Sequence, residues 1–125
     1  MDGYLHRLDG PAVVGTDGHE EWHFQDTLHR LDGPAIVYAD GTQEWFAYGK
    51  RHRHDGPAII YTDGCEEWYT HGKHHRLDGP AFIGSDRAEE WWIHDQEITD
   101  LSAHQKMQYI RSYLQAPRFA SHRHL

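Results

Sequence analysis

Short apolar runs alternate with turn-forming and polar residues along most of the chain. The run AIVY at 35–38, for example, is followed by Asp-Gly and then by Glu-Trp-Phe. β-Branched and aromatic residues favour pleated surfaces. Asp-Gly is a favoured two-residue hairpin turn, because both of its positions need a positive φ that Gly adopts freely and Asp tolerates. The pattern therefore predicts a β-hairpin whose two short strands are joined by Asp-Gly.

This hairpin pattern recurs four times with a period of 23 residues, in the segments 5–27, 28–50, 51–73 and 74–96. Nine of the 23 columns are identical in all copies, and in the first copy they are His6, Arg7, Asp9, Gly10, Pro11, Ala12, Asp17, Glu21 and Trp22. Such self-similarity predicts stacked supersecondary units. We expect a mainly β fold, a single meandering antiparallel sheet of four tandem hairpin repeats over 1–98, followed by one helix and a basic tail over 99–125.

A two-residue turn would also fix the pairing register. Residue 13 would then pair with 22, and residue 14 with 21. This pairing would place Trp22 and its three equivalents on one face, opposite Val13 and its equivalents. Val14 and its equivalents would lie on the other face with the aromatic column that starts at His23. A longer turn would slip this register and could move the tryptophans across the sheet. In the last copy Arg87 replaces the turn glycine, and since Arg is disfavoured at positive φ we expect that turn to differ in shape.

The region after the repeats has helical rather than strand periodicity. The sequence predicts that a helix starts at Thr99-Asp100 and that Pro117 stops it. The apolar stripe between them consists of Ala103, Met107, Ile110 and Leu114, widened by Leu101, Tyr109 and Tyr113. A short amphipathic helix is marginal alone. We expect it to cover the open end or a face of its own sheet, or to reach a second chain and form a homodimer through Met107, Ile110 and Leu114.

Composition and charge exclude several function classes. No apolar run approaches the roughly 20 residues of a spanning helix, so a membrane-embedded role is excluded. The lone Cys65 cannot form an intramolecular disulfide, and the first residues do not resemble a secretory signal, which together predict a cytoplasmic protein. The net charge of −8 disfavours a simple polyanion binder. That charge is uneven, because residues 1–98 hold 19 acids against 8 Lys and Arg.

Catalysis and metal binding have weak support in the pattern. Cys65 occupies a column that holds His, Thr or Ala in the other copies, and no nucleophile stands beside a base, so we predict no enzyme activity. The column that starts at His6 recurs at roughly 10 Å in a meander of two strands per repeat. Ligands of one ion must converge more closely than that. We therefore predict that these histidines serve loop backbone groups, and we expect no metal and no cofactor.

Two repeated columns are the candidate binding residues. The arginine column could pair with the aspartates two residues further on, or it could present cations to an acidic or phosphate-bearing ligand. The tryptophan column could be core, or it could be a stacking platform. The predicted binding residues are Arg7, Arg30, Arg53 and Arg76, the additional cations Lys50, Arg51 and Lys73, and the tryptophans Trp22, Trp45, Trp68 and Trp91.

The segment EWFAYGKRHRHDGPAIIYTDG at 44–64 resembles the MORN repeat, with its Glu-Trp, Gly-Lys-x-His, Gly and Asp-Gly landmarks. The resemblance covers residues 5–96. It implies successive β-hairpins in an elongated twisted sheet and a non-catalytic binding or scaffolding role. The His-Arg-x-Asp-Gly-Pro-Ala variant looks similar to bacterial and phage arrays, among which the bacterial MORN-like subgroup is associated with antitoxin roles.

Together these features predict a non-catalytic repeat module that binds another macromolecule. We expect a protein partner and an inhibitor or antitoxin-like role, through a sheet face or through the edge formed by the His-Arg loops. The alternative is sequestration of a nucleotide or nucleic acid by those loops and the aromatic residues. The sequence does not choose between these surfaces.

Overall fold

The computed structural model describes residues 10–116 of the 125-residue chain. Its sixteen strands, in chain order, are β1 (Val13–Val14), β2 (Glu20–Glu21), β3 (His23–Phe24), β4 (Thr27–Leu28), β5 (Ile36–Val37), β6 (Gln43–Glu44), β7 (Phe46–Ala47), β8 (Lys50–Arg51), β9 (Ile59–Ile60), β10 (Glu66–Glu67), β11 (Tyr69–Thr70), β12 (Lys73–His74), β13 (Phe82–Ile83), β14 (Glu89–Glu90), β15 (Trp92–Ile93) and β16 (Gln96–Glu97). One helix follows. The predicted mainly β class is confirmed.

The strands form one long sheet and four small ones. The long sheet has eight antiparallel strands in the order β1-β2-β5-β6-β9-β10-β13-β14, and the other strands pair as the hairpins β3-β4, β7-β8, β11-β12 and β15-β16. The prediction of a single sheet was therefore wrong. Each 23-residue segment continues past its Glu-Trp into a second hairpin that the sequence interpretation treated as a connection.

The Asp-Gly turns are longer than predicted. In the first copy the Gly15 N–H donates to the His19 carbonyl at 2.7 Å and the Gly18 N–H donates to the Gly15 carbonyl at 3.3 Å. The loop therefore has three residues, and in it only Gly18 has a positive φ, of 98°. Asp17 instead closes the turn with its side chain, which accepts from the His19 N–H at 3.1 Å. Since Asx side chains bond to the backbone two residues on, this repeated aspartate is a turn cap.

The longer loop changes the register by one residue. Val13 pairs with Glu21 and Val14 with Glu20, and the three later copies follow the same scheme. The predicted pairing of Val13 with Trp22 was wrong. Trp22 lies where the long sheet gives way to the second hairpin, and its N–H donates to the Ala35 carbonyl of the next segment at 2.7 Å.

The last turn has the same shape as the others, contrary to our expectation. The Gly84 N–H donates to the Ala88 carbonyl, and the Arg87 N–H donates to the Gly84 carbonyl at 3.0 Å. Arg87 itself takes the left-handed position, with a φ of 72°. The hydrogen bonds of the turn and of the flanking strands therefore impose on Arg87 the conformation that glycine adopts elsewhere.

The true two-residue turns lie in the second hairpins. Tyr48 and Gly49 have φ values of 51° and 82°, and the equivalent pairs in the other copies also have two positive values. Two positive φ values define the primed turn that the sequence analysis assigned to Asp-Gly. The backbone N–H of Gly49 donates to the carbonyl of Leu28 at 2.9 Å, so this turn is bonded to the first residue of its own segment, at the end of strand β4.

The helix α1 spans Ala103–Gln115, later than its predicted start at Thr99-Asp100. Ser102 is the N-cap, and its hydroxyl and the Gln105 side chain form a reciprocal capping box. Ile110 packs in a buried cluster with Ile93 and Ile98, and Tyr113 lies against this cluster. The helix therefore folds back onto the last segment of its own chain.

The predicted helix stripe does not coincide with the buried face. Ile110 is buried, whereas Ala103, Met107 and Leu114 are exposed. Lys106, Ile110 and Tyr113 have the spacing of one helix face, and they are the positions that contact the last segment. The predicted stripe was thus right at Ile110 and at the widening residues Leu101 and Tyr113, which pack at this cluster, and wrong at the exposed positions.

The left-handed position in the last turn gives a stability test. Arg87→Gly should stabilise the protein by about 1 kcal/mol, because a non-glycine residue pays a steric cost at positive φ. Gly64→Arg makes the reverse change in the third copy, where φ is 93° and no heavy atom lies within 4 Å of an added Cβ. We expect a loss of about 1 kcal/mol there. Urea unfolding measures both changes, and effects of the same sign would contradict this explanation.

Candidate binding surfaces

In the part of the chain that is described, the repeated arginines lie over the tryptophan of the preceding segment. The Cζ atom of Arg30 is 3.7 Å from the ring centroid of Trp22, and the equivalent distances are 4.0 Å for Arg53 on Trp45 and 3.8 Å for Arg76 on Trp68. A guanidinium group in this position gains cation–π attraction and buries the ring face. The arginine and tryptophan columns, which the sequence left as binding candidates, therefore contact each other.

The same arginines brace their own loops. Arg30 donates from Nε to Asp32 at 3.0 Å and from Nη1 to the Pro34 carbonyl at 3.2 Å. Arg76 makes the same two bonds with Asp78 and the Pro80 carbonyl. Arg53 donates to the Pro57 carbonyl, and its Nε forms an ion pair with Asp55 at 3.5 Å. Of the two alternatives for the arginine column, the structure therefore has the one in which each arginine pairs with the aspartate two residues further on. Arg7, the fourth member of the column, lies outside the described residues.

The invariant loop glycine makes room for the guanidinium group. A Cβ atom on Gly33, Gly56 or Gly79 would lie 2.7 Å from Cζ of the arginine three residues before it. A side chain there would push the arginine off its tryptophan. The glycine of Asp-Gly-Pro is therefore needed for a close approach of side chain to backbone.

The repeated histidines accept hydrogen bonds from the primed turns. Nδ1 of His29, His52 and His75 accepts the backbone N–H of Tyr48, His71 and His94, each at 3.0 Å. Burial, with smaller effects of His71 and His54, lowers the pKa of His52. This role agrees with the prediction that the column serves backbone groups, and it requires an unprotonated Nδ1.

We call the row of His-Arg-x-Asp-Gly-Pro loops the loop edge. Open grooves of about 330, 390 and 660 Å³ lie along it, each walled by a tryptophan and by loop residues. Asp32 and Leu31 line the grooves and are exposed, Leu31 to 75%. The arginines in the walls are mostly covered, because stacking and loop bonds occupy them.

One face of the long sheet, the inner face, carries the invariant glutamates. By the register its row is Val13, Glu21, Ile36, Glu44, Ile59, Glu67, Phe82 and Glu90. Glu44 is only 7% exposed, and it accepts from Tyr38 Oη at 2.7 Å and from Arg51 Nε at 3.0 Å. Arg51, predicted as a binding residue, therefore neutralises a buried carboxylate.

Glu67 has the densest set of partners. It accepts from Tyr61 at 2.8 Å and from Tyr69 at 3.0 Å, and His74 Nε2 lies 3.0 Å from the same carboxylate. The hydrogen bond with His74 is the main cause that lowers the pKa of Glu67 to about 2. Burial and the adjacent Glu67 carboxylate raise the pKa of Tyr69 to about 12. The network thus favours an ionised glutamate and a neutral tyrosine.

The opposite face, which we call the outer face, differs in its polar groups. Its row is Val14, Glu20, Val37, Gln43, Ile60, Glu66, Ile83 and Glu89. Val14 is 63% exposed, and Val37, Ile60 and Ile83 are partly exposed. Within residues 10–116, no side-chain hydrogen bond or ion pair involves Glu20, Glu66 or Glu89. Aliphatic side chains and unpaired carboxylates therefore alternate along the outer face.

Trp91, the last member of the repeated tryptophan column, is covered by the helix instead of by another repeat. Lys106 Nζ lies 5.2 Å from the ring centroid of Trp91, and the Trp91 N–H donates to Thr99 Oγ1 at 3.0 Å. These groups stand in for the arginine and the alanine carbonyl of a following segment.

Met107 and Leu114, predicted for self-association, are left exposed at 55% and 59%. Lys50 and Lys73 are exposed at the strand ends beside the primed turns.

The part of the chain that is described meets neither the requirements of a metal cluster nor those of a membrane-spanning helix. Residues 10–116 include no group of three His, Cys, Asp or Glu side chains placed to hold an ion. In the same range, no helix has the length and apolar character needed to cross a bilayer. The Cys65 N–H donates to Asp63 as the turn-cap geometry requires, and Asp63 raises the pKa of the Cys65 thiol.

The chain matches no protein-family model, no curated protein and no solved structure. The resemblance to MORN repeats therefore stays a prediction. The surfaces described above are the basis for a functional assignment.

The close approach of arginine to glycine can be tested by a double-mutant cycle. Gly56→Ala should destabilise the protein by about 1–3 kcal/mol, because the new Cβ displaces the Arg53 guanidinium from Trp45. In an Arg53→Ala background the same change should cost about 0.5 kcal/mol or less, since the three heavy atoms nearest to that Cβ belong to Arg53. Chemical unfolding gives the four free energies. An equal loss in both backgrounds would remove the arginine as the cause.

The Glu67 network predicts a specific acid sensitivity. Because its folded-state pKa lies below the usual value of 4.5, Glu67 stabilises the fold above pH 4.5, and this stabilisation is lost as the pH falls towards 2. Glu67→Gln should lower stability at neutral pH and give a shallower dependence of stability on pH across this window. Glu66→Gln, a change of the unpaired neighbour, is the matched control and should keep the steep dependence. Thermal unfolding across the window measures both.

Proposed function

We propose that this protein is a non-catalytic binding module that recognises another protein through the outer face, and that it acts as an inhibitor or antitoxin-like factor. The observation that carries the proposal is the contrast between the two faces. The inner-face carboxylates Glu21, Glu44, Glu67 and Glu90 each have a partner within the chain. The outer face combines accessible aliphatic side chains with carboxylates that have no side-chain partner in the described range 10–116.

A surface of this composition suits a protein partner. Removing apolar side chains from water lowers the free energy by about 25 cal/mol per Å² of buried area. The row of eight residues extends for roughly 35 Å at about 4.8 Å per strand, which is the scale of a protein–protein contact. The regular spacing presents an aliphatic side chain beside a carboxylate in the first, third and fourth segments, and beside the amide of Gln43 in the second, so a partner can engage several segments at once.

The loop edge gives less support to the nucleic-acid alternative. Its arginines are stacked on tryptophans and bonded to aspartates and carbonyls, so each cation there is matched by an adjacent acid. Phosphate binding depends on cations whose charge is available. The net charge of −8 opposes the approach of a polyanion as well.

The proposal predicts that a partner from the native host depends on the outer face. The immobilised full chain should capture a protein, and the triple variant Val37→Thr, Ile60→Thr and Ile83→Thr should weaken this capture about tenfold or more. Threonine keeps the β-branched shape, so the sheet is retained while apolar contact is lost. Circular dichroism and melting temperature establish that the variant is folded.

Leu31→Ser at the loop edge is the matched control, because it removes an exposed apolar side chain away from the outer face. We expect no change in capture for this variant. If the triple variant captures the same protein as well as the parent does, the outer face is not the binding surface. If nucleic acid is retained instead, and Lys50→Gln or Lys73→Gln releases it, sequestration of nucleic acid replaces the proposal.

A further inference from the structure

We infer that the partner surface is basic, with Lys or Arg side chains set between apolar ones. This inference rests on the proposed function, since it specifies the chemistry of whatever covers the outer face. It is carried by Glu20, Glu66 and Glu89, which lie in one row with aliphatic residues and have no side-chain partner among residues 10–116.

The argument follows from the cost of covering an ionised carboxylate. Glu20 and Glu66 are partly exposed and Glu89 is exposed, so all three are hydrated in the free protein. An apolar partner that covered Ile60 and Ile83 would also strip water from Glu66, which lies between them in the row. Burying a charge without a partner is strongly unfavourable. A surface that supplies cationic donors at these points gains the apolar contacts without that penalty, because each donor both bonds to a carboxylate and matches its charge.

The spacing specifies where the cations must stand. Equivalent residues of adjacent segments are separated by two strand spacings, or about 10 Å, so Glu66 and Glu89 define that interval. In the second segment the equivalent position is Gln43, which is neutral and can both donate and accept. The partner therefore needs cations opposite the first, third and fourth segments, and tolerates a neutral polar group opposite the second.

The surroundings strengthen the attraction for cations. The turn aspartates Asp17, Asp40, Asp63 and Asp86 lie at the ends of the same strands, and all four are exposed. Their hydrogen bonds run to turn N–H groups, so these bonds do not neutralise the charge. A row of like charges at one side of the sheet steers a basic surface towards the outer face.

Two synthetic amphipathic helical peptides of equal length test this chemistry on the intact protein. Both have the same leucine face, and the remaining positions hold lysine in one peptide and glutamate in the other. The lysine peptide should bind with an affinity that falls as salt is raised, and the glutamate peptide should not bind. The double variant Glu66→Gln and Glu89→Gln should weaken the lysine peptide about threefold to tenfold.

A second double variant separates a local site from general attraction to an acidic protein. Glu97→Gln and Asp100→Asn remove the same charge from exposed positions outside the outer face, and we expect a change of less than about twofold, since exposed charges at a distance are screened. The inference is overturned if neither peptide binds, if both bind alike, or if the two double variants weaken binding equally.

Failure of this inference can be distinguished from failure of the proposed function. If the threonine triple variant loses the captured host protein while Glu66→Gln with Glu89→Gln retains it fully, the outer face binds a partner that is not basic. If the threonine variant retains the protein, the outer face does not bind it at all. Loss of capture in both variants, while the double variant Glu97→Gln with Asp100→Asn keeps it, supports both statements.

Discussion

The stack of an arginine on the tryptophan of the preceding segment is the contact on which the array depends. It joins successive segments, since Arg53 belongs to one copy and Trp45 to the copy before it. The loop conformation is fitted to it, because Asp55 and the Pro57 carbonyl hold the guanidinium group and Gly56 leaves it space. A single side chain therefore couples the shape of its loop to the packing of its neighbour. This coupling explains why Arg, Asp, Gly, Pro and Trp recur together.

The inner face adds a second connection between segments. Rings and cations follow one another from Phe46 through Arg51, Tyr69 and His74 to Trp92, with centroid distances between 4.3 and 5.8 Å. Members of this layer supply hydrogen bonds to Glu44, Glu67 and Glu90. Strands of two residues have few ladder bonds of their own, so the polar network and the alanines buried beside it hold the sheet together. The C-terminal helix completes the same scheme where the repeats end, with Lys106 in the place of an arginine.

These contacts separate structural residues from available ones. The repeated columns that looked most functional in the sequence, the arginines and tryptophans, are engaged with each other. The outer face is less conspicuous in the sequence, because its residues belong to columns that vary between copies, Val or Ile in one and Glu or Gln in the other. An unpaired carboxylate beside an accessible aliphatic chain is recognisable only once partners are known for every other acid. The candidate site therefore follows from the distribution of satisfied and unsatisfied groups.

The sequence by itself determined the period, the mainly β class, the existence of a C-terminal helix and the backbone role of the repeated histidines. It could do so because repetition, β-branched runs and helical spacing are local properties. The turn type, and with it the register, was decided by tertiary structure, since Asp17 caps a three-residue loop with its side chain and Arg87 adopts a left-handed conformation that its type disfavours. The same holds for the pairing of Arg30 with Trp22, which are only eight residues apart but belong to different segments. Such contacts depend on how one segment lies on the next, and no local preference of a residue contains that information.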